Sequence, residues 1–358
     1  MTQPDRTNPH AWNLSDLDRV PSNGFKVMST FSCGGGSCMG YKLAGFDVVA
    51  ANDIDAEMIV NYKRNFPGIE VYACPIIELT TRDLPPHLFD LDLLDGSPPC
   101  STFSFSGNRE GDWGKNKMFR EGQKTQVLSD LFFEWIALVG RLRPKVAVAE
   151  NVYGLIQGAA KGYTRLIFKG LREIGYRPQL FLLNAADCGV PQTRRRVFFV
   201  AVRNDIDVPA LTLAPAIKWV TAGEATCDLP EPNPPESTQR THRDHWHKTR
   251  PLETYKLSRN RLGDPSSALF NYVRLSENDP SCTLTAVSHA FSHWNSPRVL
   301  SFAEFKRLCS FPDDYAATND KIGKYLCGMS VPPRMMEQVA IAVRDQWLIP
   351  ARQRQVAA

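Results

Sequence analysis

No two of the nine cysteines form a Cys-x-x-Cys pair; they are scattered at positions 33, 38, 74, 100, 188, 227, 282, 309 and 327 of a 358-residue chain. That scatter excludes a zinc knuckle and a disulfide framework, and an odd count argues for reduced thiols in a reducing compartment. No window approaches the ~18 uncharged apolar residues a membrane span needs. The polar start Met1-Thr-Gln-Pro-Asp5 does not read as a signal peptide. A cytoplasmic protein with no membrane partner is therefore expected. Internal repeats and coiled-coil heptads are also missing. His242, His245 and His247 have no cysteine or fourth histidine close by in sequence, so no metal site is expected.

Hydrophobic residues make up 43% of the chain and charged residues 22%, the balance of an ordinary globular protein long enough for two domains. The net charge of +4 is mild but uneven. From Arg240 to Arg274 eight Lys/Arg stand against three acids, and five of the seven histidines lie in or just beyond that zone. A polyanion partner and a solvated loop face are equally compatible with charge alone.

Residues up to about Asn23 carry no periodicity and read as a loose leader. Phe25–Phe31 then reads as a strand broken by Ser32-Cys-Gly-Gly-Gly-Ser-Cys-Met-Gly40, and a helix begins at Tyr41. Phe46–Ala51 is a second strand, ending at Asn52-Asp53-Ile54-Asp55. The apolar stretch from Leu91 is a short buried strand stopped by Gly96. An amphipathic helix over Val127–Arg141 precedes the strand Lys145–Glu150, a further helix covers Gly162–Ile174, and strands near Gln179–Asn184 and Arg196–Val202 complete the sheet. Such alternation predicts an α/β protein with a Rossmann-like, doubly wound, mostly parallel sheet. Past Arg203 the style changes. Pro230, Pro232, Pro234 and Pro235 crowd a stretch with few recognisable elements, which predicts a second, smaller, irregular domain. Helical patterning returns at Phe302–Leu308 and again at Arg334–Leu348.

Four places carry chemistry. In Ser97-Pro-Pro-Cys100 two prolines fix their own φ angles and push the preceding residue toward an extended conformation, so Cys100 sits on a stiff arm beyond the carboxyl end of a strand. Ligands bind at that edge of open α/β sheets, which makes Cys100 a candidate nucleophile. Glu150, followed by Asn151, brings a carboxyl to the same edge. Alternation sends Arg194 and Arg196, which follow the turn ending in Gln192, to one face with planar donor forks for carbonyls or phosphates. The glycine turn departs from G-x-G-x-x-G because Met39 occupies the last glycine position, which disfavours a pyrophosphate cradle. Asp53, at the end of the second strand, stands where an acid accepts ribose hydrogen bonds. A nucleoside cofactor without a pyrophosphate suits both observations.

Taken in order, Phe31-x-x-x-Gly35-Gly36, Pro98-Pro99-Cys100, Glu150-Asn151-Val152, Gln192-x-Arg194-x-Arg196 and Gly328-x-Ser330-Val331 closely resemble the motifs of the cytosine-5 DNA methyltransferases, the bacterial and phage modification enzymes that use S-adenosylmethionine. The resemblance covers nearly the whole chain. It implies a catalytic and cofactor-binding domain over 1–204, a target-recognition domain over 205–318 that includes the helix of the next-to-last motif, and a segment 319–358 that returns to the catalytic domain. It makes Cys100 the nucleophile toward carbon 6 of a flipped cytosine, with Glu150, Arg194 and Arg196 completing the catalytic set. The cofactor falls to Phe31, Cys33, Gly35, Gly36, Asp53, Ile54, Ile76, Pro98, Ser330 and Val331. Ser101, Asn151, Gln192, Arg259 and Arg261 fall to the DNA, and Ser101–Lys117 to a loop closing over the base.

The chain departs from the family at four places: Cys33 stands for its first loop glycine, Ser101 for the Gln after the nucleophile, and Met329 for the Asn of the last motif, while Cys74-Pro75-Ile76 replaces a Gly-Asp-Ile-like run. The partner implied is double-stranded DNA, bound by a monomer that is paired with a separate restriction endonuclease. A tRNA cytosine-5 methyltransferase and a catalytically silent DNA-binding regulator are the competing functions.

Overall fold

The computed structural model describes residues 8–99, 116–117, 126–127, 131–232, 240–263, 272–287 and 290–357. The chain divides into two compact units: a larger one of residues 19–184, 195–215 and 336–358, and a smaller one of residues 1–18, 185–194 and 216–335.

The larger unit is built on a seven-stranded sheet. In chain order its first elements are β1 (Lys26–Thr30), α1 (Gly36–Leu43), β2 (Asp47–Asp53), α2 (Ala56–Asn65), β3 (Glu70–Ala73), α3 (Ile76–Leu79) and β4 (Leu93–Gly96). Two short strands, β5 (Asn116–Lys117) and β6 (Gln126–Val127), pair antiparallel apart from the main sheet. Then come α4 (Leu131–Leu142), β7 (Val146–Val152), α5 (Lys161–Glu173), β8 (Tyr176–Asn184) and β9 (Arg195–Arg203). The strand order is β3-β2-β1-β4-β7-β9-β8. β9 runs antiparallel to both neighbours while the other pairings are parallel, so the sheet is mostly parallel as the alternation predicted. The chain winds outward from β1 to β3 and then returns to place β4 on the other side of β1. The carboxyl ends of β1 and β4 therefore flank the switch point, where open α/β sheets bind ligands.

Strand composition explains the burial. Val146–Ala149 and Val197–Ala201 have essentially no exposed surface, as expected for strands covered on both faces. On one face α3, α4 and α5 supply a core of Leu79, Phe132, Trp135, Val139, Ile167 and Leu171 against Met28, Leu94, Ala147, Ala149 and Phe199. Gly96 is required there, since a Cβ would stand 2.4 Å from Trp135 Nε1. Ser29, Asp95, Val148 and Glu150 point to the other face by strand alternation and register.

The smaller unit has α6 (Ala222–Thr226), α7 (Arg240–Trp246), α8 (Tyr255–Arg261), β10 (Val273–Arg274), β11 (Phe291–Ser292), α9 (Phe302–Leu308) and α10 (Asp320–Met329), and it includes the first turn of α11 (Pro333–Val343). Two capping boxes, Thr221 with Glu224 and Ser301 with Glu304, start α6 and α9. After α11 comes a π turn over Arg344–Leu348 and then α12 (Ile349–Ala357). This last segment groups with the larger unit: Trp347 Nε1 donates to the Pro209 carbonyl at 2.8 Å and Arg344 to that of Ala44 at 2.8 Å.

One expectation is corrected. The N-terminal stretch is no loose leader from residue 8 on: Trp12 is buried, its Nε1 donates to the Ser310 carbonyl at 3.1 Å, and Asn8 Nδ2 donates to Asp228 at 2.7 Å. Partners about 200 to 300 positions away anchor it, which no local periodicity reports. The turn 185–194 leaves the sheet's unit because Thr193 donates to the Ser281 carbonyl at 2.8 Å and Ser281 to that of Pro191 at 3.0 Å, while 205–215 stays with the sheet and 319–335 with the smaller unit.

Candidate active site

Glu150 and Arg196 meet at the end of the sheet. Glu150 pairs with Phe198 across β7 and β9, and Val152 with Arg196, so the two side chains are diagonal neighbours on one face. Arg196 Nε stands 2.8 Å from Glu150 Oε1, with both side chains largely buried. Burial lowers the Arg196 pKa from its ordinary value, and the Glu150 carboxylate opposes that fall. A guanidinium and a carboxyl fixed this way can present a donor fork and a proton-carrying oxygen to one planar ring.

Asn151 works on the arm rather than in the open. Its Nδ2 donates to the Pro98 carbonyl at 2.9 Å and its Oδ1 accepts from the Val152 N–H at 2.9 Å. Pro98 and Pro99 carry the chain onward to Cys100. Cys100, Ser101 and positions 102–115 of the expected closing loop lie outside the described residues.

The turn after β1 holds two non-glycine residues in the left-handed region, Phe31 at φ 54° and Cys33 at φ 45°. Cys33 thus occupies a conformation that costs an L-residue roughly 1–2 kcal/mol. Gly35, at φ 80°, cannot be replaced, since a Cβ would stand 2.4 Å from the Phe66 ring. Asp53 closes β2, and its carboxylate accepts the Cys33 N–H at 2.8 Å and the Asp55 N–H at 3.0 Å. Burial raises the Asp53 pKa against these N–H donors. The Ile54 N–H is a further donor to this carboxylate, which still has acceptor capacity left, and the residue is half-buried, as are Phe31 and Ile54. An acceptor next to apolar surface fits a nucleoside with a vicinal diol. Ile76, by contrast, is a core residue at the start of α3, 2% exposed. Asn52, which sequence reasoning passed over, donates to the Tyr72 and Cys74 carbonyls at 2.8 Å each and fixes the turn that carries Cys74-Pro75.

Gln192 and Arg194 are expected to meet DNA and the reacting base, yet both are buried and turned inward. Gln192 Nε2 donates to the Leu308 carbonyl at 3.2 Å while its Oε1 accepts the Leu284 N–H at 3.2 Å. Arg194 donates to the carbonyls of Leu284 at 2.8 Å, Gly328 at 2.9 Å and Ser330 at 3.3 Å. It braces the close approach at Gly328, where a Cβ would stand 2.5 Å from the Thr285 backbone. Alternation was read correctly as a rule, but Arg194 precedes β9 and belongs to the smaller unit, so the rule does not reach it. Ser330 and Val331, 5% and 4% exposed, follow α10 in that same unit.

In the basic zone Arg261 donates to Glu253 at 3.0 Å and to the Lys248 carbonyl at 2.8 Å, and Arg259 is half-buried. Arg274 lies 3.8 Å over the Trp246 ring and donates to the Trp294 carbonyl at 2.8 Å. Arg243, Lys248, Arg250 and Lys256 remain exposed. Among the described residues no group of three or more His, Cys, Asp or Glu is set to hold a metal ion, and no helix is long and apolar enough to cross a membrane.

Residues 25–344 match the model of the C-5 cytosine-specific DNA methylase family. The chain is 29% identical over 331 residues to the Type II methyltransferase M1.HphI of Haemophilus parahaemolyticus, covering 87% of this chain and 85% of that one. It is 28% identical over 336 residues to M.MthTI of Methanothermobacter thermautotrophicus, covering 89% and 96%. Among solved structures, a candidate DNA modification methyltransferase encoded within an E. coli prophage superposes with a TM-score of 0.70 at 22% identity, covering 90% of this chain and 99% of that one. A triply substituted DNMT2 of Spodoptera frugiperda gives 0.61 at 19% identity, covering 90% and 100%. The last two share the fold. Because the family model spans all but the ends of the chain, this protein belongs to the C-5 cytosine-specific DNA methylases.

Proposed function

We propose that the larger unit methylates carbon 5 of a cytosine flipped out of duplex DNA, and that the smaller unit reads the sequence around it. The Glu150–Arg196 pair at the sheet edge, beside the Pro98 arm that Asn151 holds, is the observation that supports this reading most. Cys100 attacks carbon 6 as a thiolate, and the displaced electron pair moves toward ring nitrogen 3, where Glu150 delivers a proton. Arg196 holds the exocyclic oxygen and stabilises the charge that develops there. Carbon 5, now nucleophilic, takes a methyl group. A base then removes the carbon-5 proton, and the returning electrons expel Cys100 as thiolate. The ring needs all three groups because its conjugation must be broken by a soft nucleophile and restored afterwards.

S-adenosylmethionine, when bound, supplies the methyl group as a sulfonium. Asp53 would accept its ribose hydroxyls, with Phe31, Cys33, Gly35, Gly36, Ile54 and Pro98 around it; Ser330 and Val331 are assigned to the cofactor by the motif they match. The exposed cations of the basic zone and Arg259 would meet DNA phosphates. On this reading the protein acts as a cytoplasmic monomer, paired with a separate restriction endonuclease.

Incubation with radiolabelled S-adenosylmethionine and either duplex DNA or tRNA tests the proposal. Label recovered from DNA as 5-methylcytosine is the expected result. Label in tRNA alone would overturn it in favour of RNA methylation, and label in neither would leave a binding protein.

A further inference from the structure

Among the described residues five that are not glycine take a positive φ, and four of them sit where the surrounding main chain uses that geometry. Phe31 and Cys33 lie in the glycine turn, the Arg143 carbonyl accepts from Arg203, and the Ser310 carbonyl accepts from Trp12. The fifth is Leu252, at φ 61° and 44% exposed. A left-handed backbone crowds the Cβ of an L-residue, and for a bulky side chain it is an outlier. Such strain persists where the surroundings impose it, and it concentrates at functional sites. Exposed as it is, Leu252 gains little burial to offset it.

The turn around it imposes the conformation. Pro251 fixes a negative φ, Leu252 takes a positive one, and the Glu253 N–H donates to the Arg250 carbonyl at 3.0 Å. Arg250–Glu253 is therefore a type II turn with leucine at the position that favours glycine. β10 and α8 brace it. The Leu252 N–H donates to the Arg274 carbonyl at 2.7 Å and the Arg274 N–H to the Glu253 carbonyl at 3.2 Å. The Glu253 carboxylate accepts from the Arg250 N–H at 2.9 Å and from Arg261 Nε at 3.0 Å. A tip held this way cannot relax by rotation. Pro251 and Leu252 are both exposed on it, and Lys248, Arg250 and Lys256, within four residues along the chain, are exposed too. The one nearby acid, Glu253, is already held by Arg261.

We propose that Leu252 is a specificity-determining residue, set by this turn against the carbon-5 methyl group of a thymine in the major groove of the recognition site. An aliphatic side chain has no donor or acceptor with which to read a base edge, and the thymine methyl is the one apolar group a base pair presents in that groove. Exposed cations on either side of the tip suit the phosphates that line the groove. Rigidity serves the reading, because a tip that does not move holds the leucine at one base step. The inference rests on the reading that the smaller unit recognises the DNA sequence.

Bisulfite sequencing of DNA methylated by the protein gives the recognition site. Dissociation constants of the full-length wild type and Leu252→Gly are then measured on the cognate duplex, on the same duplex with each thymine replaced in turn by uracil, and on a random duplex. One uracil substitution should weaken wild-type binding by about fourfold, the loss expected when a single methyl group leaves an apolar contact. Leu252→Gly should weaken cognate binding by about tenfold and random-duplex binding by less than about twofold, and it should no longer distinguish uracil from thymine at that position. Its unfolding midpoint should not fall, because glycine suits the positive φ. A cognate site without thymine, wild-type binding indifferent to every uracil substitution, or unchanged cognate binding in Leu252→Gly would overturn the proposal. So would a loss shared equally by the random duplex. Wild-type binding that does not distinguish cognate from random DNA would instead overturn the reading of the smaller unit as the recognition element, so the two failures are distinguishable.

Discussion

Both the sheet edge and the basic zone of the smaller unit set arginine against glutamate, but they do so by different means. Arg196 and Glu150 project from strand positions fixed by register and stand 2.8 Å apart with side chains 14% and 11% exposed. Arg261 reaches from the end of α8 to Glu253, with side chains 31% and 13% exposed. Breaking the first pair strands a desolvated charge, which typically costs 3–5 kcal/mol, whereas exposed pairs of the second kind contribute little. The contrast separates two jobs: a rigid buried pair can act on one ring atom, while solvated cations such as Arg243, Lys248 and Lys256 can only follow a phosphate backbone.

The sharpest way to break this contrast is at the edge. Glu150→Gln keeps the shape and removes the proton donor, and the single-turnover rate should fall by about 10²–10⁴. A fall of less than tenfold, with DNA binding intact, would put the Glu150–Arg196 pair in the same class as the exposed one.

Asp95 gives the next largest effect, read in stability rather than rate. Its folded-state pKa of about 7 lies above that of an unfolded aspartate, 3.8, so the native chain binds the extra proton between them. Stability from this group is fully present below about pH 4 and is lost as pH rises to about 7, a difference on the order of 4 kcal/mol. Denaturant unfolding at several pH values should show this decline in the wild type and a flatter one in Asp95→Asn. Equal slopes would mean that the carboxyl is not retained at that cost.

Asp53→Ala should weaken S-adenosylmethionine binding by about 1.5–3 kcal/mol in a calorimetric titration, through loss of charge-assisted hydrogen bonds. An unchanged dissociation constant would leave Asp53 only its contacts to the Cys33 and Asp55 N–H groups.

The basic zone should respond least. Replacing Arg259 with Ala should flatten the dependence of log K on log salt by about one unit on cognate and random duplexes alike. Arg261→Ala should change it less, because that guanidinium already serves Glu253 and the Lys248 carbonyl. A larger effect from Arg261, or one confined to the cognate site, would turn the zone from phosphate contact to base reading.

What was legible in the sequence followed from periodicity and turn chemistry. The strands ending at Thr30, Asp53, Gly96 and Val152 announce themselves as apolar runs closed by Gly, Pro or acid, and the edge they form carries Glu150 and the Cys100 arm. What was not legible depends on distant partners. Trp12 looks like a lone aromatic in a polar stretch until Ser310 accepts its N–H. Gln192 and Arg194 read in the sequence as contacts to DNA and base, whereas their side chains bond the main chain at Leu284, Leu308, Gly328 and Ser330. Asp95 is one acid inside an apolar run, and only register sets it beside Ser29 and on the face of Glu150.

The central claim is that this edge forms a covalent bond to cytosine through the arm it supports. Incubating the protein and S-adenosylmethionine with duplexes carrying 5-fluorocytosine at the target position, followed by peptide mapping of any denaturant-resistant protein–DNA adduct, tests it directly, because fluorine cannot leave as the carbon-5 proton does. An adduct at Cys100 is expected, and Cys100→Ala should abolish it while cofactor binding persists. An adduct at another cysteine, or methylation that continues in Cys100→Ala, would contradict it.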